Sequence, residues 1–176
     1  EEIDERCRKV LLFKYAMGLN RKPVVRLSGL ERRINTPHTR DLIRRLNLAA
    51  VTVLNNEKGV LPIHPDVKKV AVLTVGKAKE LEAFTNELKK YVEVHTFELG
   101  KQMPDSLQQK LRDSLSAYRR IIVPVNEIRL APYQSFFAKF TPQVPVVYAF
   151  FTPAKLMLQI HRAISNASSV VLGHTD

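Results

Sequence analysis

Residues 70–76 read Val-Ala-Val-Leu-Thr-Val-Gly. The run is short, rich in Val and apolar at successive positions. A strand with one wet face alternates apolar and polar residues. A strand that does not alternate is covered on both faces, as in a parallel sheet sandwiched between helices. Gly76 then lets the chain leave the strand in a tight turn. Residues 78–90 follow at helical spacing.

The same alternation recurs downstream. Strands are expected at 69–75, 91–97, 120–125, 146–151 and 169–173, with Val92, Val94 and Phe97 turned to the core. Helices are expected at 104–118, with Leu107, Leu111 and Leu115 four apart, at 132–140 and at 153–165. Thr152-Pro153 reads as an N-cap and first-turn pair for the last of these. Strand–helix repeats with short links imply right-handed crossovers. The expected fold class is α/β: a three-layer sandwich with a mostly parallel, five-stranded, flavodoxin-like sheet in the order 2-1-3-4-5 and helices on both faces.

The first 63 residues are different. Residues 1–19 have apolar positions at spacings of three and four, and Gly18 is a plausible stop. Thr36-Pro37 is a sound helix start, and the helix it opens is expected over 37–54 with Leu42, Leu46, Ala49, Ala50 and Val53 as its buried stripe. Val60-Leu61-Pro62-Ile63 is extended, with Pro62 disfavouring a place inside a ladder.

Net charge and cysteine usage bound the function. The 176 residues carry a formal charge of +11 and one cysteine, Cys7, which excludes an internal disulfide framework. There is no apolar run long enough for a membrane span. The positive charge is spread: residues 1–50 hold 12 Lys/Arg against 6 Asp/Glu, and the remainder 16 against 11. The densest basic pairs are Lys68-Lys69, Arg32-Arg33, Arg44-Arg45, Lys89-Lys90 and Arg119-Arg120, and none forms a long basic run. No nucleic-acid partner is expected.

Loops at strand ends are where an open α/β sheet binds ligands. Gly76-Lys77 lacks either glycine-rich phosphate motif. Asn126-Glu127 and Thr152 occupy the corresponding ends of later strands, and His174 and Asp176 follow the last one. The five histidines, His38, His64, His95, His161 and His174, are scattered, so no metal is expected and no cofactor is implied. Retaining glycoside hydrolysis needs two positioned carboxylates. Asp66, Glu127 and Asp176 are candidates by position only, so no catalytic residue is assigned.

Three stretches carry a resemblance. Residues 7–19, Cys-Arg-Lys-Val-Leu-Leu-Phe-Lys-Tyr-Ala-Met-Gly-Leu, resemble the helix that leaves the catalytic barrel in family 3 glycoside hydrolases. Residues 49–63 are similar to that family's A-x-x-x-x-L-x-N-x-x-x-x-L-P-L stretch, with Ile63 at the last Leu. Residues 68–76 resemble the first strand of its C-terminal sandwich. Thr152-Pro153 stands where the family commonly has Asn-Pro. In feel the chain is nearest to bacterial β-N-acetylglucosaminidase-like members.

The resemblance implies a division into residues 1–63, a helical linker to a (β/α)8 barrel absent from this chain, and 64–176, a sandwich that stops short. The family's nucleophile, and the Asp–His acid/base pair of its N-acetylglucosaminidase members, come from the barrel, so neither is expected here. The implied function is a non-catalytic domain of a glycosidase for β-linked sugars. Gly76, Lys77, Asn126, Glu127, Thr152, His174 and Asp176 would lie in loops near the active-site mouth, carbohydrate would be the ligand of the longer protein, and the orphaned helical face would invite self-association. The alternative from another class is a flavodoxin-like domain holding a small anion near Gly76 and Asn126; a basic nucleic-acid-binding module is weaker still. Titration with duplex and single-stranded DNA at near-physiological salt is expected to give only weak, salt-sensitive binding. Submicromolar affinity that persists there would favour the nucleic-acid class.

Overall fold

The computed structural model describes residues 2–21, 27–56, 59–64 and 66–173. Two compact units emerge, Glu1–Ile43 and Arg44–Asp176.

In the first unit, helix α1 spans Glu2–Ala16. Acidic Glu2, Asp4 and Glu5 in its first turn and Lys14 in its last suit the helix dipole. It stops at Gly18, which takes a φ of 73° while the Leu19 N–H donates to the Lys14 carbonyl at 3.0 Å. No residue of α1 is buried, and Phe13 is 71% exposed. A short helix, α2, follows at Leu30–Ile34.

Helix α3 spans Pro37–Ala50 and crosses the boundary between the units. The Thr39 N–H donates to Thr36 Oγ1 at 3.1 Å, so Thr36 is its N-cap as expected. Its C-terminus is not where the sequence pattern puts it. Residues 52–55 form a strand, β1 (Thr52–Asn55), instead of the helix's last turn. The reason is non-local: β1 pairs antiparallel with the last strand, Thr52 opposite Leu172 and Val53 opposite Val171. Nor is the expected stripe buried. Leu42, Leu46, Ala49 and Val53 are exposed and Ala50 half-buried.

The sheet belongs to the second unit. Its other strands are β2 (Lys69–Val75), β3 (Glu93–Leu99), β4 (Ile121–Val125), β5 (Val146–Phe150) and β6 (Ser169–Leu172). The order is β1-β6-β5-β4-β2-β3. The five strands from β2 to β6 are mutually parallel, in the expected 2-1-3-4-5 arrangement, and β1 adds an antiparallel edge. Strand β3 begins and ends two residues later than its apolar pattern suggests, because its register is set by β2, with Lys69 opposite Glu93 and Val75 opposite Leu99.

The crossovers are short helices, three of them opened by 3-10 turns. They are α4 (Glu82–Leu88, after 78–81), α5 (Asp105–Ser116), α6 (Gln134–Ala138, after 131–133) and α7 (His161–Ser165, after 154–160). In α5 the buried residues are Gln108 and Leu115, whereas Leu107 is exposed. Gln108 tolerates burial because its Nε2 donates to the Met103 carbonyl at 2.8 Å. Thr152 does not cap the segment after it, which begins with a seven-residue 3-10 stretch and has no side-chain cap.

Alternation along β2 divides the core. Ala71, Leu73 and Val75 join Ile121, Val123 and Val125 under α5, α6 and α7. Val70 and Val72 join Val60, Val92, Ile122 and Val147 on the other face, with Phe84 and Leu88 of α4 packed against them. Leu73 has no exposed surface. Leu73→Ala is expected to cost about 2–5 kcal/mol in urea unfolding. Leu158→Ala, at a position 73% exposed, is expected to change stability by less than about 0.5 kcal/mol. Equal losses at the two positions would contradict this division of the core.

Candidate functional site

Parallel strands all end at one edge, and the loops there face a common side. Four of the expected residues meet at that edge. Gly76 and Lys77 follow β2; Asn126 and Glu127 follow β4, its neighbour in the sheet.

Asn126 ties the two turns together. Its backbone N–H continues the ladder, donating to the Val75 carbonyl at 3.1 Å. Its side-chain Oδ1 accepts the Lys77 N–H at 2.9 Å, and its Nδ2 donates to the Lys77 carbonyl and to Glu80 Oε2, both at 3.2 Å. The amide needs room at Gly76. A Cβ there would lie 2.2 Å from Asn126 Oδ1 and 2.9 Å from the Glu127 nitrogen, and φ is +117°. Only glycine satisfies both conditions.

The charges at this corner are engaged. Lys77 Nζ donates to Glu80 Oε1 at 2.7 Å, and that bond, with the charge of Glu80, raises the ammonium's pKa. Glu127 is the more enclosed acid, its side chain 13% exposed. One oxygen pairs with Lys101 Nζ at 2.6 Å; the other accepts the N–H groups of Ile128 and Arg129 at 3.0 and 3.1 Å. Burial alone would push the carboxyl up. The Lys101 hydrogen bond and the two N–H donors outweigh it and hold the pKa below its ordinary value. Burial, together with the charges of Glu127 and Glu98, in turn pushes the Tyr133 phenol up.

Thr152 lies at the end of β5, on the same edge but in a different setting. It is 3% exposed, and its Oγ1 is buried with no partner among the described residues. His174 and Asp176 lie outside the described residues. Asp66 is far off in the fold, before β2, at the opposite edge of the sheet.

Two residues of this corner carried no signal in the sequence reading. Lys101 follows β3 by two positions and was hidden because the strand was expected to end at 97; placed at Leu99, the strand end points to it. Glu80 was hidden in what looked like the first turn of a regular helix. Chemically, the corner holds two lysine–carboxylate pairs, one of them tied to the Asn126 amide. It fixes a surface, but it offers no free acid beside a free nucleophile. It also leaves no open anion cradle at Gly76, because the Asn126 side chain fills that space. Among the described residues, no group of three or more His, Cys, Asp or Glu is placed to hold a metal ion, and no helix is long and apolar enough to cross a membrane.

No protein-family model matches the chain. Over 71 residues it is 35% identical to the probable beta-glucosidase H of Emericella nidulans, a stretch that makes up 40% of this chain and 8% of that protein. Its structure is similar to a glycoside hydrolase family 3 beta-N-acetylglucosaminidase from Paenibacillus sp. str. FPU-7 (TM-score 0.60, 15% identity, 97% of this chain and 34% of that one). It is similar to a beta-glucosidase from Listeria innocua as well (TM-score 0.60, 15% identity, 92% of this chain and 26% of that one). The chain therefore spans a small part of each relative's length, and at these identities the structural likeness is one of fold. The sandwich is family 3-like in that sense.

Gly76→Ala is expected to cost about 2–5 kcal/mol, the sum of a left-handed backbone strain and an overpacked contact. Gly100→Ala, whose Cβ would meet nothing closer than a Met103 methyl at 3.9 Å, is expected to be near neutral. Chemical denaturation of the two variants checks this, and a tolerated Gly76→Ala would mean that the Asn126 bridge is dispensable.

Proposed function

We propose that this chain is the non-catalytic C-terminal sandwich domain of a glycoside hydrolase acting on β-linked sugars. Its partner in the reading is a (β/α)8 barrel of the same polypeptide, which supplies the nucleophile and the acid/base. N-acetylglucosaminides are the preferred substrate class within it, supported by the resemblance at 7–19 and 49–76. On this reading residues 1–63 join the two domains, and the edge bearing Gly76, Lys77, Asn126, Glu127 and Thr152 supports the active-site mouth; His174 and Asp176, outside the described residues, belong to the same proposed set.

One observation carries the non-catalytic part. Retaining glycosyl transfer needs two carboxylates about 5 Å apart, one of them able to hold a proton near neutral pH. Glu127, the enclosed carboxylate at this edge, has its pKa lowered and both oxygens occupied. The lowered pKa disfavours the proton donor's part, and the bonds that already occupy both oxygens disfavour the nucleophile's as well. The role of Glu127 here is to anchor the loop at 127–130.

The test compares two proteins on aryl β-glycosides, including the N-acetylglucosaminide. Residues 1–176 alone are expected to give no turnover, and the protein extended to include its upstream sequence is expected to hydrolyse at least one substrate. Turnover by residues 1–176 that is abolished in Glu127→Gln would put the chemistry in this domain and overturn the proposal.

A further inference from the structure

The opposite edge of the sheet has the reverse electrostatic character. Two of the five basic pairs in the sequence, Lys68-Lys69 and Arg119-Arg120, stand at the starts of β2 and β4. Those strands are neighbours with Ala71 opposite Ile121, and the Ala71 N–H donates to the Arg120 carbonyl at 3.1 Å. Pairs far apart in sequence are therefore brought side by side at the N-terminal rim.

A cleft of about 450 Å³ opens there, lined by Lys68, Lys69, Tyr118, Arg119 and Asp66. Its volume lies within the range of small-ligand sites. Tyr118 forms a fixed wall: Phe97 and His95 pack against its ring, and Lys69 Nζ sits 5.3 Å from its centroid. Among the described residues, none of the three cations pairs with a carboxylate. The near acid on β3, Glu93, is engaged with His95 at 2.7 Å. Asp66 is the single carboxylate in the lining. Next in the chain, Arg120 is 8% exposed; Nη1 donates to the Val60 carbonyl at 2.8 Å, and among the described residues its Nε has no partner and no carboxylate pairs with it.

We propose that this rim is a binding site for a small soluble oxyanion of the phosphate class, held by Lys68, Lys69 and Arg119. Unpaired like charges around a concavity raise the local potential and attract an anion. A guanidinium fork and two ammonium groups suit a multivalent tetrahedral oxyanion. Both basic pairs contribute to one concavity here, which sets the site apart from Lys89-Lys90, whose Lys89 lines a smaller cavity together with Glu82 and Glu98. It is independent of the glycosidase reading and lies on the other side of the sheet from the Gly76–Asn126 corner.

The test is an amide NMR titration of the chain with inorganic pyrophosphate at near-physiological salt. Saturable one-site shifts are expected at residues 66–69 and 117–120. Arg119→Ala and Lys68→Ala, both at exposed positions, are expected to weaken binding about tenfold each, a loss of about 1.4 kcal/mol. Asp66→Asn is expected to tighten it, an outcome that a folding defect would not produce. Lys89→Ala, at a basic pair outside the cleft, is expected to leave it unchanged. Shifts that spread over all the basic pairs without saturating, or an affinity indifferent to Arg119 and Asp66, would reduce the rim to an ion atmosphere and overturn the proposal.

Discussion

Strand β2 has no face for water. Past its first residue, Lys69, residues 70–73 and Val75 are 0% exposed, and Thr74 is buried with its hydroxyl donating to the Phe97 carbonyl at 3.0 Å. Burying each such side chain is worth about 1.5–3 kcal/mol, whereas the exposed ion pairs of the chain contribute at most about 1 kcal/mol each. Double-sided burial therefore decides the architecture. Helices must lie on both faces, the neighbours of β2 must be parallel, and the crossovers must return each strand to the same starting edge.

Parallel strands have unlike ends, and here the two ends solve their electrostatics in opposite ways. At the C-terminal edge the charges flanking Gly76 and Asn126 are paired, Lys77 with Glu80 and Lys101 with Glu127, and Asn126 bridges the turns. At the N-terminal edge Lys68, Lys69 and Arg119 line one cleft at the starts of β2 and β4, with a single carboxylate, Asp66, in its lining. The first arrangement holds loops in one geometry. The second leaves charge available to a ligand. Fold-level likeness says nothing about either, because it is set by the layers between them.

The central strands were legible in the sequence because they are buried on both faces, so local composition reports their environment. The edges were not. Strand β1 has no buried residue, with Asn55 alone half-buried, and owes its existence to β6, more than 100 residues away; the sequence around it keeps a helical period. The residues of the candidate corner were legible as strand-end loops, since Gly76 and Asn126 follow Val-rich runs. Their bonding was not. That Asn126 fills the space above Gly76, or that Lys101 answers Glu127, depends on the register of three strands and has no local signature. The Thr36 cap was readable because its partner is three residues away. Thr152 was misread because the same Thr-Pro pair opens a 3-10 stretch whose start uses no side chain.

The stretch 49–63 shows why the resemblance informs fold more directly than chemistry. Asn56 accepts the Leu61 N–H on Oδ1 at 3.1 Å and donates from Nδ2 to the Leu61 carbonyl at 2.8 Å, closing the turn with one side chain. Ser169 Oγ donates to the Asn55 carbonyl at 2.7 Å, and Arg120 to that of Val60. Val60 then plugs the smaller half of the core, where Val70, Val72 and Ile122 would otherwise meet water. An Asn and a Leu-Pro at this spacing are what the closure needs: an amide with both a donor and an acceptor, and an apolar segment held extended after it. The stretch that carries the resemblance is thus a staple between residues 55–61 and the sheet, and its polar groups are spent on closing that turn.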